Sequence, residues 1–452
     1  MQHEPFINSD GATLTKNPTA HPDAITSGSA WDRVLSWLSF LALASYLLFY
    51  VLVPDAYAFG PSLMLILALL TYRWKKLRAG IDRESLALLG VLWMFFLSQA
   101  LTLLVHGEDL SEFDLSTRYV AASLVMVFVL RYGMSAGWFF ALAALGAVMA
   151  GGYGLYQAEF QGVMRVTAFD NPIHYGNGAM ALGLLAFSGL VWAEKQPCRR
   201  IWQAYLCLGT VAGIYASLVS GTRSGWVAFP VVTVIGLYAF WRPLIQRKIL
   251  FALTVAVVAV GFMAASQVDL VERRTAVAVS EFVDYYEDGR NSTSVGLRLD
   301  MWKAGIGAFK QNPLIGSGPT GTDQVVDELI AGGEIHPAVR DFRHLHNQYV
   351  EVMARYGIVG LVTYLLLLLV SLRLFMKKTR SDVPQVQALA LGGSFFVTLH
   401  AIVNLTQSML ERNIGVTMFV FMVVFVWAIL KREEAKSRRS VLTREDCSRA
   451  NS

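Results

Sequence analysis

The sequence predicts an all-α polytopic membrane protein of about 12 transmembrane helices, with one long outer loop containing short helices. Three observations predict it. Of 452 residues, 55% are hydrophobic and only 16% charged, which is more apolar surface than one soluble core of this length would bury. Apolar runs of about 17 to 25 residues, enough to cross roughly 30 Å of hydrocarbon, recur along the chain. The runs are continuous rather than alternating, and backbone groups in lipid must be satisfied internally, so helices are favoured over a barrel.

The runs fall at 34–53, 59–74, 86–105, 118–132, 136–158, 175–193, 201–219, 224–241, 248–266, 348–376, 386–405 and 414–430. Their orientation follows from the Lys/Arg content of the connections. The segments 73–84, Arg131, 194–200, 242–248 and 373–380 hold sixteen basic residues together, whereas the short connections on the other side hold only Arg118, Arg165, Arg223 and Arg412. Both ends of the chain are therefore expected in the cytoplasm. The pI near 9.0 describes loops facing anionic lipid and gives little support for nucleic-acid binding.

Five regions follow from this reading. Residues 1–30 are polar, without the pattern of a signal peptide, and are expected to be a disordered cytoplasmic tail. Spans one to nine occupy 31–266, an outer loop domain 267–345, spans ten to twelve 346–430, and a basic cytoplasmic tail 431–452. Cys198, Cys207 and Cys447 fall in a loop, a span and the tail, so none can staple an outer domain.

The loop 267–345 is too long to be mere connection. Within 295–321, Leu297, Met301, Trp302, Ala308 and Phe309 predict a helix with one apolar side, ended by Pro313 and a Gly/Pro cluster. Such a helix would lie along the membrane interface or cap a cavity between spans. Directly before span ten stands "HLHNQYVEVMARYGIVG", 344–360. At about 100° per residue, a helix through this stretch sets Gly357 and Gly360 on the face of His346, where small residues let a neighbouring helix approach closely.

"HNQYVEVMARYGIVG" reads His-Asn, nine residues, Gly-x-x-Gly, and resembles the signature of the O-antigen ligase family of bacterial envelope enzymes. "GTRSGW" (221–226) and "RLDMWKAGIGAFKQNPLIGSG" (298–318) resemble that family's outer arginine and its periplasmic-loop block. The resemblance covers span seven to span ten; the earlier spans resemble the family in hydropathy only. It implies an inverting, metal-independent glycosyltransferase of the membrane C-type, without cofactor, in the bacterial inner membrane with its site facing the periplasm. The donor it implies is a glycan on undecaprenyl pyrophosphate and the acceptor is the lipid A core, with membrane lipids as surroundings and no nucleic acid. No Asp-x-Asp pair and no zinc-type spacing appears in the sequence. The acidic group Glu108, Asp109, Glu112 and Asp114 reads better as a solvated loop than as a cation site.

The resemblance assigns roles that the chemistry supports. A pyrophosphate is already a good leaving group, so the enzyme needs to neutralise departing phosphates and to orient or deprotonate the attacking hydroxyl. Permanently charged, forked arginines suit the first task and a histidine the second. Arg223 and Arg298 are expected to bind pyrophosphate, with Arg165 a second contact, and His346 to be catalytic; Asn347, Gly357 and Gly360 are the structural part of the motif. On residue type alone, Arg223 would as readily anchor a helix end, Arg298 would face solvent and His346 would satisfy interfacial neighbours. His344 falls outside the motif. An O-antigen polymerase or a protein-directed oligosaccharyltransferase would use the same donor class. A transporter or flippase for lipid-linked sugars would instead prefer midplane charges and paired broken helices.

Overall fold

The computed structural model describes residues 29–71, 81–169, 171–222, 224–246, 280–283, 285 and 292–450, with the side chains of 240–246 and 444–450 excepted. No strand occurs among the described residues. The helices are α1 (Ala30–Phe49), α2 (Ala56–Leu70), α3 (Arg83–His106), α4 (Phe113–Tyr132), α5 (Ala136–Leu155), α6 (Pro172–Ala193), α7 (Arg199–Val219), α8 (Ser224–Gln246), α9 (Ser294–Gln311), α10 (Gly318–Ala331), α11 (Gln348–Met376), α12 (Pro384–Val403) and α13 (Asn413–Ala450). Several of their starts are set by short polar side chains that accept from the exposed first-turn amides. Ser29 and Asp32 form a capping box on α1, Asp82 accepts from Ser85, Asn171 from Ile173 and His174, and Thr293 from Gly296.

Among the described residues nine helices are long and apolar enough to cross a membrane, namely α1, α3 to α7 and α11 to α13. α2 and the stretch 224–239 of α8 are apolar but shorter. The expected span at 248–266 lies outside the described residues, so the expected total of twelve is not reached here. Within the expected basic tail at 431–452 the chain is helical, α13 continuing without a break to Ala450. Its charges support each other at helical spacing, with Lys431 on Glu434, Lys436 on Glu433 and Arg438 on Glu434.

α13, α6 and α12 form the centre of the bundle and are buried on nearly all sides, whereas α1 and α7 are peripheral. Lipid is as apolar as leucine, so association relies on close backbone approach at small residues. Gly209 and Gly213 of α7 supply it: a side chain at Gly209 would meet Ala144 of α5, and one at Gly213 would meet Ala179 and Gly183 of α6.

The connections sort to two ends of the bundle. At one end Lys431 pairs with Asp82 at 2.6 Å and Glu84 at 3.2 Å, Lys378 with Glu84 and Glu434, and Arg432 with the carbonyls of Leu130 and Arg131. These belong to the segments expected on the basic side. At the other end sit the outer loop elements.

α9, α10 and the chain up to Leu345 share a small core of Met301, Ala304, Ala308, Val325, Val326, Ile335, Val339, Leu345 and Ala354. This unit stands on the first turns of α11. It is also tied to α3: Thr102 donates to the Ile315 carbonyl at 2.6 Å, His106 Nε2 to the Gly316 carbonyl at 2.8 Å, and Glu108 accepts the Thr320 amide and hydroxyl at 3.0 and 2.6 Å. Glu108 thus caps the first turn of α10, where the helix dipole favours an anion, and Asp114 pairs with Arg118 at 2.9 Å.

The shared face of His346, Gly357 and Gly360 does not form. His346 precedes the helix with φ +52°, and Gly357 breaks α11 with φ +63° and ψ −162°, a region open essentially to glycine alone. The break lets the 313–316 backbone lie against α11, with the Ile358 amide on the Pro313 carbonyl at 2.9 Å and the Val359 amide on the Leu314 carbonyl at 3.2 Å. A Cβ at Gly316 would run into the Arg355 backbone, and one at Gly357 into Leu314. Gly360 faces Tyr356 and Val352 of its own helix.

Gly357→Leu is expected to cost about 1–3 kcal/mol in backbone strain before any steric clash. Thermal unfolding in detergent checks this, with Gly152→Ala, whose new methyl meets nothing within 4 Å, holding the wild-type midpoint as control.

Candidate functional site

The site is built where the strap 342–347 enters α11 beneath the turn from α12 to α13. Asn347 is the N-cap, its side chain accepting the Tyr349 and Val350 amides at 3.0 and 3.2 Å. The Asn347 amide donates to Ser408 Oγ at 3.2 Å, and the Gln348 amide to the Asn404 and Gln407 carbonyls at 2.9 and 3.1 Å. The Gln348 side chain accepts the Leu410 amide at 2.7 Å and donates to Glu411 Oε1 at 3.1 Å.

Beneath these bonds lies a buried charge cluster. Arg355 Nε is 2.7 Å from Glu351 Oε1, an ion pair without hydrogen-bond alignment, and Arg355 Nη1 donates to Glu411 Oε2 at 2.9 Å. Glu351 Oε2 accepts the Leu345 amide at 2.5 Å and the Ser408 hydroxyl at 3.0 Å. Arg355 Nη2 reaches the Arg343 carbonyl at 3.2 Å. One guanidinium therefore holds strap, helix and turn together.

His346 Nδ1 stands 3.2 Å from Gln407 Oε1, with the ring edges of His344 and Phe342 at centroid distances of 4.4 and 5.3 Å. An amide oxygen only accepts, so Nδ1 carries the proton and Nε2 is the ring's acceptor. Burial, then the charge of Arg298, push the His346 imidazole down to about 4, with Arg412 adding to the shift. Burial, then His346 and Arg412, do the same to His344, also to about 4. Both rings are neutral at ordinary pH.

Arg298 reaches this position because α9 is pinned within the next turn. Buried Asp300 accepts the Tyr285 hydroxyl and the His336 amide, each at 2.7 Å, and Trp302 Nε1 donates to the Leu345 carbonyl at 3.1 Å. Arg412 is exposed at the end of the α12–α13 turn; its carbonyl accepts the Val416 amide at 3.0 Å, while its side chain makes no hydrogen bond or ion pair among the described residues. Neutral histidine and nearby guanidinium groups make a site able to take an anion beside a hydroxyl.

Of the residues singled out in the sequence, the structure brings His346, Arg298 and Asn347 together. Arg165 Nε donates to the Ser220 carbonyl at 3.1 Å, and its side chain packs along Gly221 in the α7–α8 turn. Arg223, one position beyond Thr222 in that turn, lies outside the described residues. Sequence reasoning missed Gln407, Ser408, Glu411 and Arg412, although "NLTQSMLER" (404–412) is a polar stretch between two apolar runs. It also missed Glu351 and Arg355, two charges four residues apart at the head of a membrane helix.

Arg355→Met leaves two buried carboxylates unpaired, which in comparable buried pairs costs about 3–5 kcal/mol. A matching fall in the thermal midpoint is expected. An unchanged midpoint would show that the cluster is dispensable to the fold.

A protein of Haemophilus influenzae known only as an uncharacterized protein is 23% identical over 389 residues, covering 85% of this chain and 96% of its own length. The family model described as O-antigen ligase matches residues 208–365, from the middle of α7 through the outer loop unit and past the Gly357 break. Members of that superfamily are membrane glycosyltransferase-like enzymes, ligases and polymerases. His346, Arg298, the charge pair Glu351–Arg355 and both close-approach glycines of the loop contact, Gly316 and Gly357, fall inside the segment that the O-antigen ligase family model matches.

Proposed function

We propose that this protein is an O-antigen ligase, transferring a glycan from undecaprenyl pyrophosphate to the lipid A core on the periplasmic face of the inner membrane. The observation that carries the reading is the contact of His346 Nδ1 with Gln407 Oε1 at 3.2 Å, on a ring that feels the charges of Arg298 and Arg412. The acceptor hydroxyl donates a hydrogen bond to His346 Nε2 as its oxygen attacks the anomeric carbon. The bond from that carbon to the pyrophosphate oxygen breaks with inversion, the hydroxyl proton passes to Nε2, and the pyrophosphate leaves with the electron pair. Charge grows on the leaving phosphates as they depart, so guanidinium groups beside them act mainly on the transition state. Arg298 and Arg412 take this role, and Arg223 and Arg165 at the α7–α8 turn hold the donor's phosphates as a second pair.

Purified protein, donor and one acceptor at a time (lipid A core, a second carrier-linked glycan, or a peptide) form the test. Sugar on lipid A core is the expected outcome; sugar on the second carrier-linked glycan instead would make the protein a polymerase. His346→Ala should bind donor normally and transfer about 10²- to 10⁴-fold more slowly. Arg298→Ala should lose transfer, with only partial rescue by lysine.

The pH profile carries a sign. The neutral imidazole is the working form, so kcat/KM should hold from neutral pH down and fall as pH drops through about 4, the free-enzyme value. A bound pyrophosphate offsets the two arginine charges and favours the imidazolium, so the acid limb of kcat should lie at higher pH. A limb near 6.5 in both would remove His346 from the role.

Orientation is tested by cysteine labelling in a variant without its native cysteines. Met164→Cys, fully exposed beside the α7–α8 turn, should react with an impermeant reagent once the outer membrane is opened, and Ser440→Cys on the last helix should stay protected. The reverse pattern would invert the protein in the membrane.

A further inference from the structure

We infer that Gln407 is a positioning residue for His346, its side-chain oxygen accepting the Nδ1 proton so that the neutral ring presents Nε2 to the acceptor hydroxyl. The inference rests on the proposed role of His346 and concerns a residue that lies outside the matched family segment, on the α12–α13 turn.

Four observations carry it. The contact itself is direct, Nδ1 to Oε1 at 3.2 Å. Gln407 is held still: it is 9% exposed, its own carbonyl accepts the Gln348 amide, and the next residue, Ser408, is bound by both the Asn347 amide and Glu351. His346 is fixed from its backbone side, since φ +52° leaves the strap one entry into the Asn347 cap. The remaining neighbours cannot replace Gln407. The charged and titratable groups facing the ring are Arg298 from α9, Arg412 from the turn and His344 from the strap. Both arginines only donate, and His344 meets the ring edge-on through its own ring.

The choice of an amide has a chemical consequence. A carboxylate in this place would also accept the Nδ1 proton but would stabilise the imidazolium, drawing protons onto Nε2 before a hydroxyl arrives. A neutral amide sets the tautomer and leaves the ring uncharged. Proton transfer in this arrangement then waits for the departing pyrophosphate, whose negative charge arrives as the imidazolium forms. Gln407 thereby links which nitrogen is basic to when it becomes so.

The test uses the full chain in lipid nanodiscs with ¹⁵N-labelled histidine, His346 being identified by difference against His346→Gln. The expected spectrum is a neutral ring protonated on Nδ1. Gln407→Leu should lose that signature, lower kcat about 10²-fold with little change in the KM for donor, and move the acid limb to lower pH. Gln407→Glu, which keeps the acceptor and the shape, should retain the signature and move the acid limb to higher pH. If Gln407→Leu does not fold, the Gln407→Glu pair of readouts decides alone. A wild-type ring protonated on Nε2, or a Gln407→Glu limb that does not move, overturns the inference while His346→Ala still lacks activity. Full activity in His346→Ala overturns the functional reading and this role with it.

Discussion

Arg355 carries a charge into a place that water scarcely reaches, and the outer end of the bundle is arranged around satisfying it. Taking an ion out of water costs several kcal/mol even after relaxation, so a buried guanidinium persists only where partners converge on it. Here they come from three directions: Glu351 one turn back on the same helix, Glu411 from the α12–α13 turn, and the Arg343 carbonyl from the strap. Each partner then has obligations of its own. Glu351 takes the Leu345 amide and the Ser408 hydroxyl, and Glu411 takes the Gln348 side chain. Following those bonds outward locates every backbone group that flanks His346.

The break at Gly357 makes this cluster compatible with a membrane helix. An interrupted helix frees amides that lipid cannot satisfy, so non-helical backbone survives only where protein supplies partners. The carbonyls of Pro313 and Leu314 supply them, and Gly316 lets the two backbones meet. The same contact seats α9 and α10 on α11, while His106, Thr102 and Glu108 of the α3 end secure the other side. Arg298 is thus aimed by a loop unit whose footing is a glycine pair and whose rigidity comes from Asp300 and Trp302.

Electrostatics then divides the labour. Burial and the arginines beside His346 suppress its protonation, which would be a handicap in a group that must take a full proton early, and is an advantage in one that must first accept a hydrogen bond. A pyrophosphate brought into the same space reverses the balance, because its charge compensates the guanidinium groups. On the proposed reading, the basicity of the histidine is tied in this way to occupancy of the donor site.

Local properties were legible in the residues themselves. Hydropathy along a run is summed over neighbours in the chain, so the helices from α1 to α8, α11, α12 and the start of α13 could be drawn within a few residues, and the 298–309 pattern marked α9. Asn347 and Arg298 could be singled out through the motif they resemble, but not the cap that Asn347 forms or the pull that Arg298 exerts on His346. What depended on distant partners could not. A helical projection carried His346 onto the face of Gly357 because periodicity assumes an unbroken helix, and the break is imposed by Leu314 and Gly316, some forty residues upstream. The reach of Arg165 to Ser220 spans 55 positions, and that of His346 to Gln407 spans 61. α13 continuing through its charged end depends on acidic partners from α3 and on pairs along its own turns, which composition alone reads as a solvated tail. Sequence by itself determined which segments are helical, where they start and which chemistry their ends carry, because those follow from interactions within a turn or two. The tertiary structure decided which ends meet and which nitrogen of His346 is left to act, because those depend on bonds that exist only after α11, α12 and α13 have packed.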